Sequence, residues 1–182
     1  MVCHNGVFNK EEKKMGQLYF VRHGQTVWNV ENKICGATDI ALTELGHKQA
    51  KETGEKIKEE GIKADEILYS PLIRAKETAR HISEITGILS REEIRLKEQN
   101  FGKYESKPRD GKEFKEAKKQ FVCSYGGGES MLKLAQRIYN LLDEITASDK
   151  TYILVAHNGI ARVVHSYFNE MTNDEYAAYG RP

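Results

Sequence analysis

A chain of 182 residues is one domain's worth, long enough to bury a core that hides roughly 70% of its unfolded surface. Lysine plus arginine (28) nearly cancels aspartate plus glutamate (27), leaving +1. That balance speaks against a nucleic-acid partner, yet leaves room for an anionic ligand held by a few local arginines. No apolar run approaches the ~18 residues of a membrane span, which excludes a spanning helix.

Residues 1–14 are polar, end in Glu-Glu-Lys-Lys and lack the apolar stretch of a signal peptide. They read as an extension ahead of a single domain over residues 15–182. Cys3, Cys35 and Cys123 are odd in number and form no CxxC pair, which points to a reducing, cytoplasmic setting without disulfides. The first strong element is Gln17–Val21, a β-rich run stopped by Arg22-His23-Gly24. Residues 24–42 read mostly as loop. Thr43 then caps a helix whose inward face is expected to carry Leu45, Gln49, Ala50, Thr53 and Ile57, with a solvated charged face around Lys56–Glu60 and a stop at Gly61.

Asp65–Tyr69 predicts a short strand. Ser70 as cap and Pro71 at the first helical position then predict a helix to Thr86, with Leu72, Ala75, Ala79, Ile82 and Ile85 inward. Ile94–Leu96 reads as a third short strand. Residues 99–128 are loop-rich, with one helix expected near Gly111–Phe121. Further helices are expected from Glu129-Ser130 to Ile145 and from Ile160 to Phe168, on either side of a strand over Thr151–Ala156. Strands alternating with helices predict an α/β layered fold with a mostly parallel sheet, whose ligands bind at the carboxyl ends of the strands.

Those ends carry unusual residues. The first strand delivers Arg22 and His23; Ser70 and Arg74 follow the second; Glu98 follows the run at 94–96; His157 and Asn158 follow Ala156. Neutral imidazole is a competent nucleophile near its ~6.5 reference pKa. Arginine forks match phosphate oxygens, and a carboxylic acid can give a proton to a leaving oxygen and later take one from water. Converging, these groups make a phosphoryl-transfer site that needs no metal. Taken singly, each histidine is more often structural. His23, His157 and Glu98 would also make a three-ligand zinc set, but flanking arginines oppose a dication and no HExxH spacing occurs. Gly126–Glu129 lacks the GK[ST] of a P-loop. His4, His47, His81 and His165 have no partner that the sequence suggests.

The run Leu18–Asn29, containing Arg22-His23-Gly24, resembles the signature of the histidine phosphatase superfamily, in its phosphoglycerate mutase-like branch. Further segments resemble that family in its order: Cys35–Ala50, Ser70–Ala79, Glu98-Gln99-Asn100-Phe101-Gly102, Gly128-Glu129-Ser130 and Val155–Gly159. The resemblance implies a three-layer α/β/α sandwich with no metal and no other cofactor. It implies His23 as the phosphorylated nucleophile, Arg22, Arg74 and His157 around the phosphate, and Glu98 as proton donor and acceptor. Gln25, Thr26, Asn29, Cys35, Gly36 and Asn158 would help hold the substrate.

The partner so implied is a small phosphorylated metabolite. The 59-residue step from Glu98 to His157 contains only Arg109 and Arg137 as arginines, short of the Arg- and Tyr-rich insert of the bisphosphoglycerate-dependent mutases. That favours a phosphatase, with a mutase or a non-catalytic phospho-ligand binder of the same fold as alternatives. Ser106 stands where the family often has glycine. The 25 residues after His157 show no strand character where the family usually adds a last strand, which leaves two readings: a chain cut short there, or an absent strand whose exposed sheet edge invites pairing into a homo-oligomer.

Overall fold

The computed structural model describes residues 16–179; the extension read over residues 1–14 lies outside the described residues. Four strands, β1 (Leu18–Arg22), β2 (Glu66–Tyr69), β3 (Ser90–Glu92) and β4 (Tyr152–Ala156), form an all-parallel sheet in the order β1-β4-β2-β3. β4 lies inside the sheet, with Phe20 and Leu68 both in register with Leu154. Its five residues are all buried, and successive side chains enter opposite layers as the strand period requires. Tyr152, Leu154 and Ala156 join Leu134, Ile138, Leu141 and Leu142 of α5 (Met131–Thr146) and Ile160 and Val163 of α6 (Asn158–Phe168). Ile153 and Val155 instead meet Ile57 of α2 (Glu44–Glu59) and Ala75, Ala79 and Ile82 of α3 (Ile73–Thr86). The result is the expected three-layer α/β/α sandwich. A satellite cluster of Ile34, Phe101, Tyr104, Phe114, Ala117 and Tyr125 packs under the loops at one end; it includes α4 (Lys112–Ala117).

Several expectations need correction. Residues 24–42 are mostly loop as expected, and within them stands a one-turn helix, α1 (Val27–Val30), closed by a reciprocal Thr26–Asn29 capping box. In α2, Thr43 caps as expected, accepting from Gly46 N–H, but Leu45 is 48% exposed. The packed stripe is Gly46, Ala50, Gly54 and Ile57, because two glycines let the helix lie almost on its neighbours. A Cβ at Gly46 would stand 2.2 Å from the Gln25 carbonyl, and one at Gly54 3.0 Å from Ile85. α3 starts at Ile73 rather than Pro71: its first N–H donates to Asp39 Oδ1 at 2.7 Å, while Ser70 is engaged elsewhere.

The third strand is Ser90–Glu92, and Ile94–Leu96 is a 3₁₀ turn. The Glu93 carboxylate accepts from Arg95 N–H and from its guanidinium, and this local bonding curls the chain away from β2. The true strand carries Ser-Arg-Glu, all exposed, so no apolar pattern marks it. Finally, His47 and His81 do have a partner: they face each other across α2 and α3, Nδ1 to Nε2, at 3.0 Å. Among the described residues no strand follows β4. β1 remains an edge of the sheet, and the chain continues into a short helix, α7 (Asn173–Ala178).

Candidate active site

The parallel sheet delivers β1, β2 and β4 to one end, and the loop residues after them form the site. Arg22 ends β1, and His23 N–H is still held by the Ala156 carbonyl at 3.0 Å, so the two histidine-bearing strand ends stay in step. The rings of His23 and His157 lie 5.0 Å apart. His23 Nδ1 donates to its neighbour's carbonyl, Gly24 O, at 2.7 Å. That bond fixes the proton on Nδ1 and leaves Nε2 with its lone pair. Burial, then Arg74 and Arg22, push the His23 pKa down to about 3.

Arg74 is wholly buried as the second residue of α3, and its guanidinium is spread across three partners. Nε donates to His157 Nδ1 (3.3 Å), Nη1 to Thr38 O (2.8 Å) and Nη2 to Gly36 O (2.7 Å). His157 therefore accepts at Nδ1 and donates from Nε2 to Ser70 Oγ at 2.7 Å. Burial, with Arg74 and His23 next in weight, holds its pKa well below the ordinary imidazole value. Ser70 thus orients a histidine, which is why it does not cap α3. Glu98, buried, accepts from Gly159 N–H at the start of α6 (3.0 Å) and from Gln99 N–H (2.8 Å). Gly159 has no room for a Cβ, which would sit 2.4 Å from Glu98 Oε1.

The other expected ligand-binding residues divide. Gln25 turns toward α2, its Oε1 accepting from Thr43 Oγ at 3.0 Å. Thr26 is buried as the α1 cap. Asn29 uses Oδ1 to accept from Thr26 N–H, which leaves its NH₂ donors for a ligand. Cys35 is half-buried, its thiol pushed up by burial. Gly36 is pinned from both sides, by Arg74 at its carbonyl and Glu105 at its N–H; Asn158 keeps a buried Oδ1 without a hydrogen-bond partner.

Residues that sequence reasoning missed complete the picture. The Glu105 carboxylate accepts from Gly36 N–H, Ala37 N–H, Thr38 Oγ and Phe101 N–H, all at 2.7 to 3.1 Å, and so fixes the loop that braces Arg74. Burial and the neighbouring Arg162 and Arg109 cations bring Lys118 down to about 8, with Glu98 opposing. Cationic groups therefore extend beyond the two histidines, on residues that no motif marks. Arg137, by contrast, is held by Glu129 through two 2.8 Å contacts and by the carbonyls of Arg95 and Lys97.

A family model described as histidine phosphatase superfamily (branch 1) matches residues 18–180. The chain belongs to the histidine phosphatase superfamily. It is 37% identical over 153 residues, 79% of this chain and 70% of the other, to a probable phosphoglycerate mutase GpmB of Yersinia pestis (strain Pestoides F). Among solved structures it resembles a mycobacterial glucosyl-3-phosphoglycerate phosphatase, with TM-score 0.77 and 28% identity over 90% of this chain and 84% of that one. A phosphoglycerate mutase from Thermus thermophilus gives TM-score 0.68 and 29% identity over 84% of both chains. The superfamily and these relatives mark the chain as a phosphatase- or mutase-type enzyme.

Proposed function

We propose that this superfamily member is a metal-independent phosphatase of small phosphorylated metabolites, working through a phosphohistidine on His23. One observation carries the reading: His23 Nδ1 is tied to Gly24 O, so Nε2 presents its lone pair to a pocket walled by Arg74 and His157. Nε2 attacks phosphorus in line with the ester oxygen. Arg22, Arg74 and the Asn29 amide stabilise the charge on the equatorial oxygens, and the Nε2–H of His157 joins them when it leaves Ser70 Oγ. Glu98, in its acid form, delivers a proton to the leaving oxygen. In the second half Glu98 takes a proton from water, which attacks the phosphohistidine and frees phosphate. The two backbone N–H bonds to Glu98 hold its carboxyl group in place and leave one lone pair on each oxygen for proton transfer.

The mutase reading has its own support in Lys118, Arg109 and Arg162, which suit a substrate carboxylate or a second phosphate near Glu98. Assays on p-nitrophenyl phosphate and on a set of sugar and glycerate phosphates, with chelator present, separate the readings. Phosphate release that survives chelation and disappears in His23→Ala is expected. Bisphosphoglycerate-primed interconversion of 2- and 3-phosphoglycerate outrunning hydrolysis would move the assignment to a mutase. Retained turnover in folded His23→Ala would remove His23 as nucleophile, and binding without any turnover would leave a phospho-ligand binder.

A further inference from the structure

Behind the site, His47, Glu77 and His81 bring three ligand atoms within 4.8 Å of one another. His47 belongs to the first turn of α2; Glu77 and His81 lie four apart on α3, hence on one face. We propose that these three residues form a structural zinc-class cation site that staples α2 to α3. Ligand atoms on a tetrahedral zinc stand roughly 3.3 Å apart, given bonds of about 2.0–2.1 Å. The imidazole nitrogens are already at 3.0 Å, and rotation of the Glu77 side chain closes the remainder.

The surroundings favour ligation over an accidental meeting of side chains. His81 Nδ1 faces Glu84 Oε2 at 3.7 Å, so a proton on Nδ1 turned to that carboxylate leaves Nε2 unprotonated for a metal. Arg80 holds Glu84 by Oε1 at 2.6 Å and Glu77 by Oε2 at 2.9 Å, which leaves Glu77 Oε1 as the ligand oxygen. Arg80, the cation that weighs most on His81, is itself paired with Glu77 and Glu84, which offsets part of its charge beside the rings. His81 is buried, and its Nε2 is turned to His47 Nδ1 rather than to solvent. Without metal, one ring donates its N–H to the other. On metal binding that proton moves to the far nitrogen of the same ring, so the step conserves protons. Two imidazoles with one carboxylate suit zinc, cobalt or nickel rather than magnesium or calcium, and a water can take a fourth position.

The position explains the use. His47 follows Gly46, which packs on the Gln25 backbone, and Thr78, between Glu77 and His81, accepts from Gly24 N–H at 3.2 Å. A cation here stiffens the frame behind residues 24 and 25 and takes no part in the reaction.

The test uses the full chain, stripped with chelator and dialysed against zinc alone. We expect one equivalent bound and a melting temperature raised by several degrees. His47→Gln and His81→Gln should each weaken binding at least tenfold, and Glu84→Gln about tenfold. Cys3→Ser, His4→Gln, Cys35→Ser, Cys123→Ser and His23→Gln should bind as wild type does. In the unmutated protein, nitrogen-15 imidazole spectra should show zinc shifting His47 Nδ1 and His81 Nε2, which keeps the test open even if a variant folds poorly. No zinc uptake by wild type would overturn the proposal. So would uptake that persists in the His47→Gln, His81→Gln double variant, or that follows a cysteine, His4 or His23.

Discussion

Arg74 Nε donates to His157 Nδ1 at 3.3 Å while the other two guanidinium nitrogens hold the carbonyls of Thr38 and Gly36. One buried side chain thereby sets the tautomer of a site histidine and the shape of the loop opposite it. The planar fork matters as much as the charge, because an ammonium cannot reach three partners in fixed directions. Arg74→Lys should therefore lower kcat/KM by about 10²-fold or more, the size seen when one transition-state donor is lost. Steady-state kinetics check this; a loss below tenfold would show that charge alone suffices.

Glu105 makes no part of the proposed chemistry, yet four donors converge on it. Hydrogen bonds to a charged group contribute about 1.5–3 kcal/mol each, and orphaning several should be felt strongly. Glu105→Ala is expected to lower unfolding free energy by about 3 kcal/mol and to raise KM more than it lowers kcat, since the loop that backs Arg74 slackens. Chemical denaturation and kinetics read the two effects separately.

Acid should destabilise the fold through the two site histidines. His23 is held at about 3 in the folded chain, against an unfolded value near 6.5, and His157 is shifted the same way. Below pH 6.5 the unfolded chain takes up protons that the native chain refuses. Stability is thus flat above that point and falls as pH drops from 6.5 toward 3, by about 1.4 kcal/mol per pH unit for His23, with His157 acting in the same direction. Denaturation at pH 7.5, 6 and 4.5 should show this slope, and His23→Gln should make it shallower.

Ser106 adopts φ +67°, in the left-handed region where a Cβ costs roughly 1–2 kcal/mol. The resemblance singles out this position, since serine replaces the glycine common there. Ser106→Gly should raise stability by about 0.5–1 kcal/mol once the extra backbone entropy of glycine is set against the relieved strain. Activity should not change, because the Ser106 N–H bond to Ile34 O needs no side chain. A drop in melting temperature would contradict the strain.

Much of this molecule was legible before folding. Unbroken apolar runs marked β1 and β4, and Thr43 and Ser130 marked helix starts, because burial and capping leave local signatures. The grouping of Arg22, His23, Arg74 and His157 was legible because parallel strands must present their carboxyl ends together. That rule does not place Glu98, since the run before it, Ile94–Leu96, is a 3₁₀ turn rather than a strand. What failed were features decided by neighbours distant in sequence. β3 carries no apolar pattern and exists because β2 offers it an edge. Leu45 lost the inward face to two glycines that only close helix packing rewards. Ser70 serves His157, 87 residues away, and Asp39 caps α3 in its place. The sequence by itself determined the layered fold and the chemistry available at the strand ends. Only the tertiary structure decided the tautomers of the two histidines, the bracing by Glu105 and the meeting of His47 with His81, since each depends on distances between side chains that chain spacing does not encode.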